Sequence, residues 1–328
     1  MRRRDLIAIL GGVIIILPDI GQAQPAKRVP RIAILWHAAN AEEEGPYLEA
    51  VRQGLKDLGY AEGHTITLEQ RFPNEEPERF RAMAAELASM KPDVLLAAGL
   101  SASIAAKNAT ATVPVVFMVV PDPIGSNLVE SLARPGGNVT GLTNFAGQLS
   151  AKRLEYLKET IPGLSRVGLL INPNVQITRR YIEESEAAAA TLRLTIHLAE
   201  VRSMAELEPA FDAMVKARVQ AVSVNADGLF FQGRASVAKL ALTRRLPTCV
   251  YSRETLEAGA LISYGPDHRA IFRRAAAYVD KILKGAKPSE LPVEQPTKFE
   301  FLVNLKTARA LGLPIPQSLL IRADQAFD

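Results

Sequence analysis

The first residues that could bind a small ligand are Gly99, Ser101 and Ser103, which directly follow the apolar segment 94–98. That segment predicts a buried strand, and the residues after it predict a helix start, where free backbone N–H groups favour anions. Glycine permits close approach to the backbone, and the serine hydroxyls can donate to an anion or simply cap the helix. This segment therefore favours a carboxylate site, with an ordinary helix cap as the alternative.

Two other residues in the first half of the chain stand at the ends of predicted strands. Asp122 follows the apolar segment that ends at Val120, and it could face a ligand or cap the next helix. Trp36 closes the apolar segment 32–36, and it could form an aromatic wall for a ligand or pack in the core. Both interpretations remain open for each residue at this point.

The second half of the chain holds an acidic residue suited to a ligand ammonium group. Asp227 comes shortly after the predicted strand 221–224, and a partly buried carboxylate requires a partner of opposite charge. The alternative is a local turn ahead of Gly228. Phe230 could stack on a ligand ring or pack in the core. The remaining candidates at strand ends are Asn172, Tyr251 and Tyr264, with packing as the alternative for both tyrosines.

The sequence lacks the motifs of several common enzyme classes. It contains no Gly-x-Ser-x-Gly, no Gly-x-x-x-x-Gly-Lys-Ser/Thr and no His-Glu-x-x-His. The single cysteine, Cys249, lies in an apolar segment and is interpreted as a packed side chain. One Cys and four His give neither an internal disulfide nor the spacing of a structural zinc site. We therefore predict no cofactor, no metal and no enzymatic activity.

The composition is that of a folded protein with more than one core. The chain has 328 residues, of which 48% are hydrophobic and 23% charged. Its 39 basic and 35 acidic residues are interspersed, its net charge is only +4, and aromatic residues make up 6%. Since nucleic-acid binding needs a clustered basic surface or stacking aromatic residues, no nucleic-acid partner is predicted.

The N-terminal residues 1–23 have the layout of a secretory signal peptide. Three consecutive arginines precede an apolar segment at 6–17, and a polar end with small residues leads to Ala23. The apolar segment is shorter than the roughly 20 residues that a membrane-spanning helix needs, which makes an uncleaved anchor the weaker alternative. We predict cleavage after Ala23 and export to the periplasm.

Short apolar segments alternate with segments of helical spacing along most of the chain, in one series from 31 to 142 and a second from 149 to 250. This alternation predicts an α/β protein with two lobes, each a parallel sheet flanked by helices. The tail adds further strands and helices that can complete both lobes. We predict that residues 30–142 and 251–287 form one lobe and residues 143–250 and 288–328 the other. Ligands bind such sheets at the carboxyl ends of the strands, where the candidate residues stand.

Four segments resemble a known family: MRRR at 1–4, LARPGGNVTG at 132–141, YVDKILKGAKP at 278–288 and LPVEQP at 291–296. They closely resemble the ABC-transporter substrate-binding proteins that include tryptophan- and phenylalanine-binding members. The resemblance covers essentially the whole chain. It implies the type I periplasmic-binding fold, with two Rossmann-like lobes joined by three hinge crossings, and as partners a small-molecule ligand and an ABC permease with its ATPase subunits. The protein is expected to be a monomer.

The predicted function is capture of a small amino acid or related carboxylate between the two lobes, and its delivery to the permease of an importer. One alternative is a periplasmic ligand-sensing subunit of a signalling receptor with the same fold. Another is an enzyme on a doubly wound fold, since fold does not determine function.

Overall fold

The computed structural model describes residues 28–144, 149–175 and 177–328. The predicted signal segment 1–23 lies outside these residues. Among the residues that are described, no helix is both long enough and apolar enough to cross a membrane.

A five-stranded parallel sheet in the order β2-β1-β3-β4-β5 forms the centre of the first lobe. Three of its strands are runs of mostly branched apolar residues, which suit a sheet covered by helices on both faces. The strands are β1 (Arg31–Leu35), β2 (Thr67–Arg71), β3 (Val94–Ala98), β4 (Val115–Val120) and β5 (Val139–Thr143). The helices between them are α1 (Gly45–Asp57), α2 (Pro77–Ser89) and α3 (Gly99–Ala109).

A seven-stranded sheet in the order β12-β11-β10-β9-β8-β6-β7 forms the centre of the second lobe. Its strands are β6 (Arg166–Ile171), β7 (Thr195–Glu200), β8 (Ala221–Val224), β9 (Thr248–Val250), β10 (Ile262–Pro266), β11 (Phe299–Asn304) and β12 (Gln325–Phe327). The remaining helices, in chain order, are α4 (Ser150–Thr160), α5 (Thr178–Leu192), α6 (Leu207–Lys216), α7 (Gly228–Gln232), α8 (Arg234–Thr243), α9 (Arg253–Glu257), α10 (His268–Leu283), α11 (Leu305–Leu311) and α12 (Gln317–Arg322). The predicted α/β class with two lobes is confirmed.

The second sheet is mixed, whereas the sequence predicted parallel strands only. β11 runs antiparallel to β10, and Phe299 at the start of β11 pairs with Pro266 at the end of β10. The chain leaves the second lobe at the end of β10 and returns to it at the start of β11. Because it re-enters at the edge where β10 ends, β11 must run in the opposite direction.

Helix α10 belongs to the first lobe although it follows β10 in the chain. Asp267 caps it by accepting a hydrogen bond from the N–H of Ala270 at 3.0 Å. Its apolar face packs in the same core as α1 and one face of the first sheet. The two helices approach so closely that a Cβ on Gly54 would lie 2.3 Å from the carbonyl oxygen of Arg273. Glycine at this position therefore sets the distance between α1 and α10.

The division into lobes differs from the predicted one at two segments. Strand β10, within the segment 251–287 predicted for the first lobe, pairs with β9 in the second sheet through Ile262 and Ser263. Ladder hydrogen bonds to an already buried neighbour place it there. Conversely, residues 288–294, predicted for the second lobe, stay with the first, where Leu291 joins the core and Thr140 Oγ1 donates to its carbonyl at 2.6 Å. The chain still passes between the lobes three times, after β5, after β10 and before β11.

Candidate functional site

A cavity lies between the lobes at the carboxyl ends of strands from both sheets. It offers about 90 Å³ of space for the centres of water molecules. Among the residues that line it are Gly99, Leu100, Ser101 and Asn144 from the first lobe, Ala226, Asp227, Phe231 and Tyr251 from the second, and His37, Tyr47, Glu75, His268 and Phe272. The sequence placed the site at this edge of the sheets, and the structure contains a cavity there.

Gly99 and Ser101 face this cavity at the start of α3. Gly99 has a φ of +82°, a left-handed conformation that glycine adopts without strain. Ser103, the third residue predicted for this segment, is fully buried, and its Oγ donates to the carbonyl oxygen of Gly99 at 2.5 Å. A serine within a helix commonly bonds back to the carbonyl four residues earlier. Ser103 therefore belongs to the helix and does not line the cavity.

Asp227 lines the cavity and also caps α7. Its Oδ1 accepts hydrogen bonds from the N–H of Leu229 at 3.0 Å and from Asn172 Nδ2 at 3.1 Å. Burial, together with the negative charge of Glu75, raises the pKa of Asp227 to about 6, against the effect of these two hydrogen bonds. Asn172, itself a candidate, does not line the cavity and instead orients the Asp227 carboxylate. At neutral pH the cavity thus contains a carboxylate that gains from a cationic partner.

Tyr251 lines the cavity beside Asp227 and is tied to the same turn. Its hydroxyl donates to the carbonyl oxygen of Asp227 at 2.9 Å. Burial raises the pKa of this hydroxyl well above its ordinary value, so that it stays protonated and remains a donor. The bond links the end of β9 to the segment after β8, and this holds Asp227 in place.

His37 sits between two carboxylates at the first-lobe side of the cavity. Its Nε2 lies 3.3 Å from Glu44 Oε1, and its Nδ1 lies 3.3 Å from Glu75 Oε1. Burial opposes a charge on the imidazole, but Glu44, Glu75 and Asp227 together outweigh it and raise the pKa of His37 to about 9. His37 is therefore a cation at neutral pH. By contrast, burial lowers the pKa of His268 to about 4, and this second histidine is neutral.

Aromatic rings from both lobes meet at one wall of the cavity. Tyr47 on α1 stacks on Phe272 of α10, with ring centres 4.5 Å apart, and on Phe231 of α7 at 5.2 Å. Phe230, the candidate chosen from the sequence, is fully buried in the core of the second lobe. Adjacent residues of a helix point about 100° apart, and the phase of α7 brings its neighbour Phe231 to the cavity instead.

Trp36 and Tyr264 lie outside this cavity. Trp36 is fully buried, stacks on Phe272 at 5.8 Å and donates from Nε1 to Gln70 at 3.0 Å. Tyr264 packs edge-on against Tyr156, with ring centres 5.2 Å apart. Both residues occupy the packing role that was the alternative to ligand contact.

Asp122 joins the two lobes beside the cavity. Its Oδ1 accepts from the N–H of Gly125 at 2.8 Å, and its Oδ2 lies 2.6 Å from Arg180 Nη1 on α5 of the second lobe. Asp122 and Arg180 line a neighbouring cavity of about 410 Å³. Asp122 thus caps a turn and bridges the lobes, and does not line the cavity that holds Asp227.

The sequence missed the cavity residues that come from helices and loops. Tyr47, His268 and Phe272 lie on α1 and α10, and Glu75 lies in the loop before α2. The spacing of Tyr47 and Phe272 within apolar helix faces gave only a packing signal. One feature of the sequence could have identified Glu75. Asn74 and Glu75 come shortly before a helix that starts with proline, and this pattern indicates a loop at the end of a strand.

No group of three or more His, Cys, Asp or Glu side chains in the described parts of the chain is arranged to hold a metal ion. Cys249 is buried, and burial raises the pKa of its thiol to about 12. A thiol in this state is a poor nucleophile at neutral pH.

Comparisons with known proteins show which chains this protein is similar to. A family model described as ABC transporter substrate binding protein matches residues 38–327. A tyrosine-binding protein of Clostridioides difficile is 24% identical over 274 residues, which cover 82% of this chain and 79% of the relative.

Two solved structures superpose over nearly the whole chain. A conserved domain protein of Vibrio cholerae is 26% identical, with a TM-score of 0.86 over 91% of this chain and 100% of that one. An ABC domain of a Streptococcus, solved in complex with L-Trp, is 25% identical, with a TM-score of 0.84 over 92% of this chain and 100% of that one. The likeness to these structures agrees with the predicted type I periplasmic-binding fold.

Proposed function

The chain belongs to the family of ABC transporter substrate-binding proteins, and from this premise we propose that it captures an amino acid, with aromatic amino acids first, between its two lobes. The observation that carries the proposal is the cavity in which the Asp227 carboxylate faces a wall of stacked aromatic rings. The relatives that bind tyrosine and L-Trp support the same ligand class.

Each part of an amino acid has a matching group in this cavity. The ligand ammonium pairs with Asp227, whose carboxylate is ionised above a pKa of about 6. The ligand carboxylate lies at the start of α3, an 11-residue helix, where Ser101 and free N–H groups can donate to it. An aromatic side chain packs against Phe231 and Tyr47. Because these groups come from both lobes, a bound amino acid stabilises the closed arrangement.

The experiment that tests this proposal is calorimetry on Asp227→Asn with L-tryptophan, L-tyrosine and L-phenylalanine. Asparagine retains an acceptor for the N–H of Leu229, removes the charge and replaces the other carboxylate oxygen with an NH₂ group of similar size. We expect the affinity to fall at least tenfold, because an ammonium left without its carboxylate partner loses a charge-assisted hydrogen bond.

The matched control is Asp212→Asn, at an exposed aspartate of α6 that pairs with Arg244 away from the cavity. This variant should bind like the wild type. Unchanged affinity in Asp227→Asn would remove Asp227 from the site. Tight binding of a neutral sugar by the wild-type protein would overturn the proposed ligand class.

We also propose that the closed protein delivers its ligand to an ABC permease in the cell envelope, after export directed by residues 1–23. Stimulation of ATP hydrolysis by the cognate permease in vesicles, dependent on the liganded protein, is the expected result. A protein that binds amino acids and never stimulates a permease from the same organism would instead fit the signalling alternative.

A further inference from the structure

We propose that Glu75 determines the charge specificity of the site, by making a positive charge on the ligand a condition for closure of the lobes. This inference rests on the proposed function and adds to it a residue from the lobe opposite Asp227.

Glu75 reaches across the cleft from a pinned loop of the first lobe. Asn74 and Glu75 both have left-handed backbone conformations, with φ of 60° and 55°. The N–H of Glu75 donates to the carbonyl oxygen of His37 at 2.9 Å, and the N–H of Asn74 donates to that of Ala38 at 3.0 Å. Non-glycine residues seldom adopt this conformation, and two in succession are held here by bonds to the chain after β1. The loop therefore fixes the backbone from which the Glu75 side chain extends.

The carboxylate of Glu75 meets the second lobe directly beside Asp227. A Cβ added to Gly228 would lie 1.8 Å from Glu75 Oε1, so that only glycine admits the carboxylate at this point. Asn74 of the same loop accepts a hydrogen bond from Gln232 of α7. When the lobes close, the carboxylates of Glu75 and Asp227 thus come to line one cavity from opposite sides.

The charges around this meeting point do not balance. Glu75 and Asp227 contribute two carboxylates, and the buried Glu44 is a third acidic group behind His37. His37 is the one cation among the described residues that line the cavity, since His268 is neutral and no Lys or Arg is among them. The nearby buried Arg153 donates from Nε to the carbonyl oxygen of Tyr264. One imidazolium lies between Glu44 and Glu75 and also attracts Asp227, so a single positive charge faces three acidic groups.

Closure without a cationic ligand therefore brings like charges together in a region of low dielectric constant, where their repulsion is strong. An ammonium group placed between Glu75 and Asp227 converts this repulsion into two attractions. A carboxylic acid that has the same ring and no amino group gains nothing there. Glu75 accordingly excludes deaminated analogues, because the closed state disfavours them.

The test compares each amino acid with its deaminated analogue in wild type and in Glu75→Gln. The ligand pairs are L-phenylalanine with 3-phenylpropionate and L-tryptophan with indole-3-propionate, and dissociation constants are measured by calorimetry. In the wild type we expect a preference of at least 100-fold for the amino acid. In Glu75→Gln the affinity for the amino acid should fall while that for the analogue stays or improves, so that the preference shrinks at least tenfold.

Two further variants keep the test decisive. Glu78→Gln changes an exposed glutamate three residues away and should retain the wild-type preference. Gly228→Ala keeps every charge and displaces the Glu75 carboxylate, and it should also reduce the preference if Glu75→Gln does not fold. Failure of the wild type to bind any amino acid would refute the proposed function. Normal binding with an unchanged preference in Glu75→Gln, or an equal loss for both ligands of a pair, would overturn only the role of Glu75.

Discussion

Replacing Tyr47 by phenylalanine should weaken the binding of every ligand by about tenfold without changing which ligand is preferred. The Tyr47 hydroxyl on α1 of the first lobe donates to Glu254 Oε2 in the second lobe at 2.8 Å, and both residues are buried. Although burial opposes its charge, the pKa of Glu254 lies below the ordinary value, since Arg269 and Tyr47 bond to the carboxylate. The bond joins the lobes, and it therefore contributes only to the closed state.

The size of the expected loss of affinity follows from the contacts that remain once the Tyr47 hydroxyl is removed. A hydrogen bond to a charged group contributes about 1.5–3 kcal/mol. Glu254 keeps its bond to Arg269 at 2.8 Å, and the phenylalanine ring keeps its stacking on Phe272 and Phe231. The lower value, about 1.5 kcal/mol, therefore applies to closure, and 1.4 kcal/mol corresponds to a tenfold change in affinity.

The assay is calorimetry with two amino acids of different affinity, and Tyr60→Phe is the control. Tyr60 donates to Asp280 at 2.9 Å, and both of these residues belong to the first lobe. Its loss should lower stability and leave affinity unchanged. A Tyr47→Phe variant whose affinity changes less than twofold, or whose preference between the two ligands changes, would refute the reasoning.

Three further predictions concern stability and processing. His37 has a pKa of about 9 against an ordinary value of 6.5, so its stabilising effect is complete below pH 6.5 and is lost as the pH rises through 9. Denaturant unfolding of the wild type should therefore show a loss of stability on the order of 3 kcal/mol between these two pH values. The variant His37→Gln should not show this loss. Gly54→Ala should destabilise the protein by about 1–3 kcal/mol in urea unfolding, because the clash of the added methyl group with the Arg273 carbonyl outweighs a helix-propensity gain of about 1 kcal/mol. The control Gly45→Ala, with open space around the added methyl group, should not destabilise the protein. N-terminal sequencing of the exported protein should begin at Gln24, and an intact Met1 in the membrane fraction would contradict the predicted cleavage.

Hydrophobic periodicity predicted the helices and strands whose bounds depend on the local sequence. It did not predict features that depend on contacts with distant parts of the chain. Helix α5 spans the predicted 178–192, and β9 spans the predicted 248–250. The lobe that β10 joins could not be predicted in the same way, because the sequence of an apolar strand does not show which strands it pairs with. The short β12 also has no apolar run of its own, and it forms by pairing with β11.

The rule that ligands bind at the carboxyl ends of the strands located the cavity. The direction of each side chain then decided which candidate residues line it. Gly99, Ser101, Asp227 and Tyr251 stand at strand ends and line the cavity. Residues that the rule cannot find reach it from helix faces, as Tyr47 does. Whether Phe230 or Phe231 lines the cavity depends on how α7 is rotated about its axis. A helix of only five residues shows too little periodicity for that rotation to be predicted from the sequence. Whether the lining residues contact a ligand remains a prediction for the variants described above.

The place of α10 in the chain has a consequence for how the protein folds. The first lobe contains residues up to β5 and then lacks one of its helices until residue 283 has been synthesised. Until then one face of its sheet is covered by α1 without α10, and contacts such as that between Arg273 and Asp57 must close a loop of more than 200 residues. Such non-local contacts slow folding, since the entropy of loop closure is lost before the contacts form. A nascent chain of this protein therefore cannot complete its first lobe before strands β6 to β10 of the second have been synthesised, and an N-terminal half released early would expose the apolar surface that α10 normally covers.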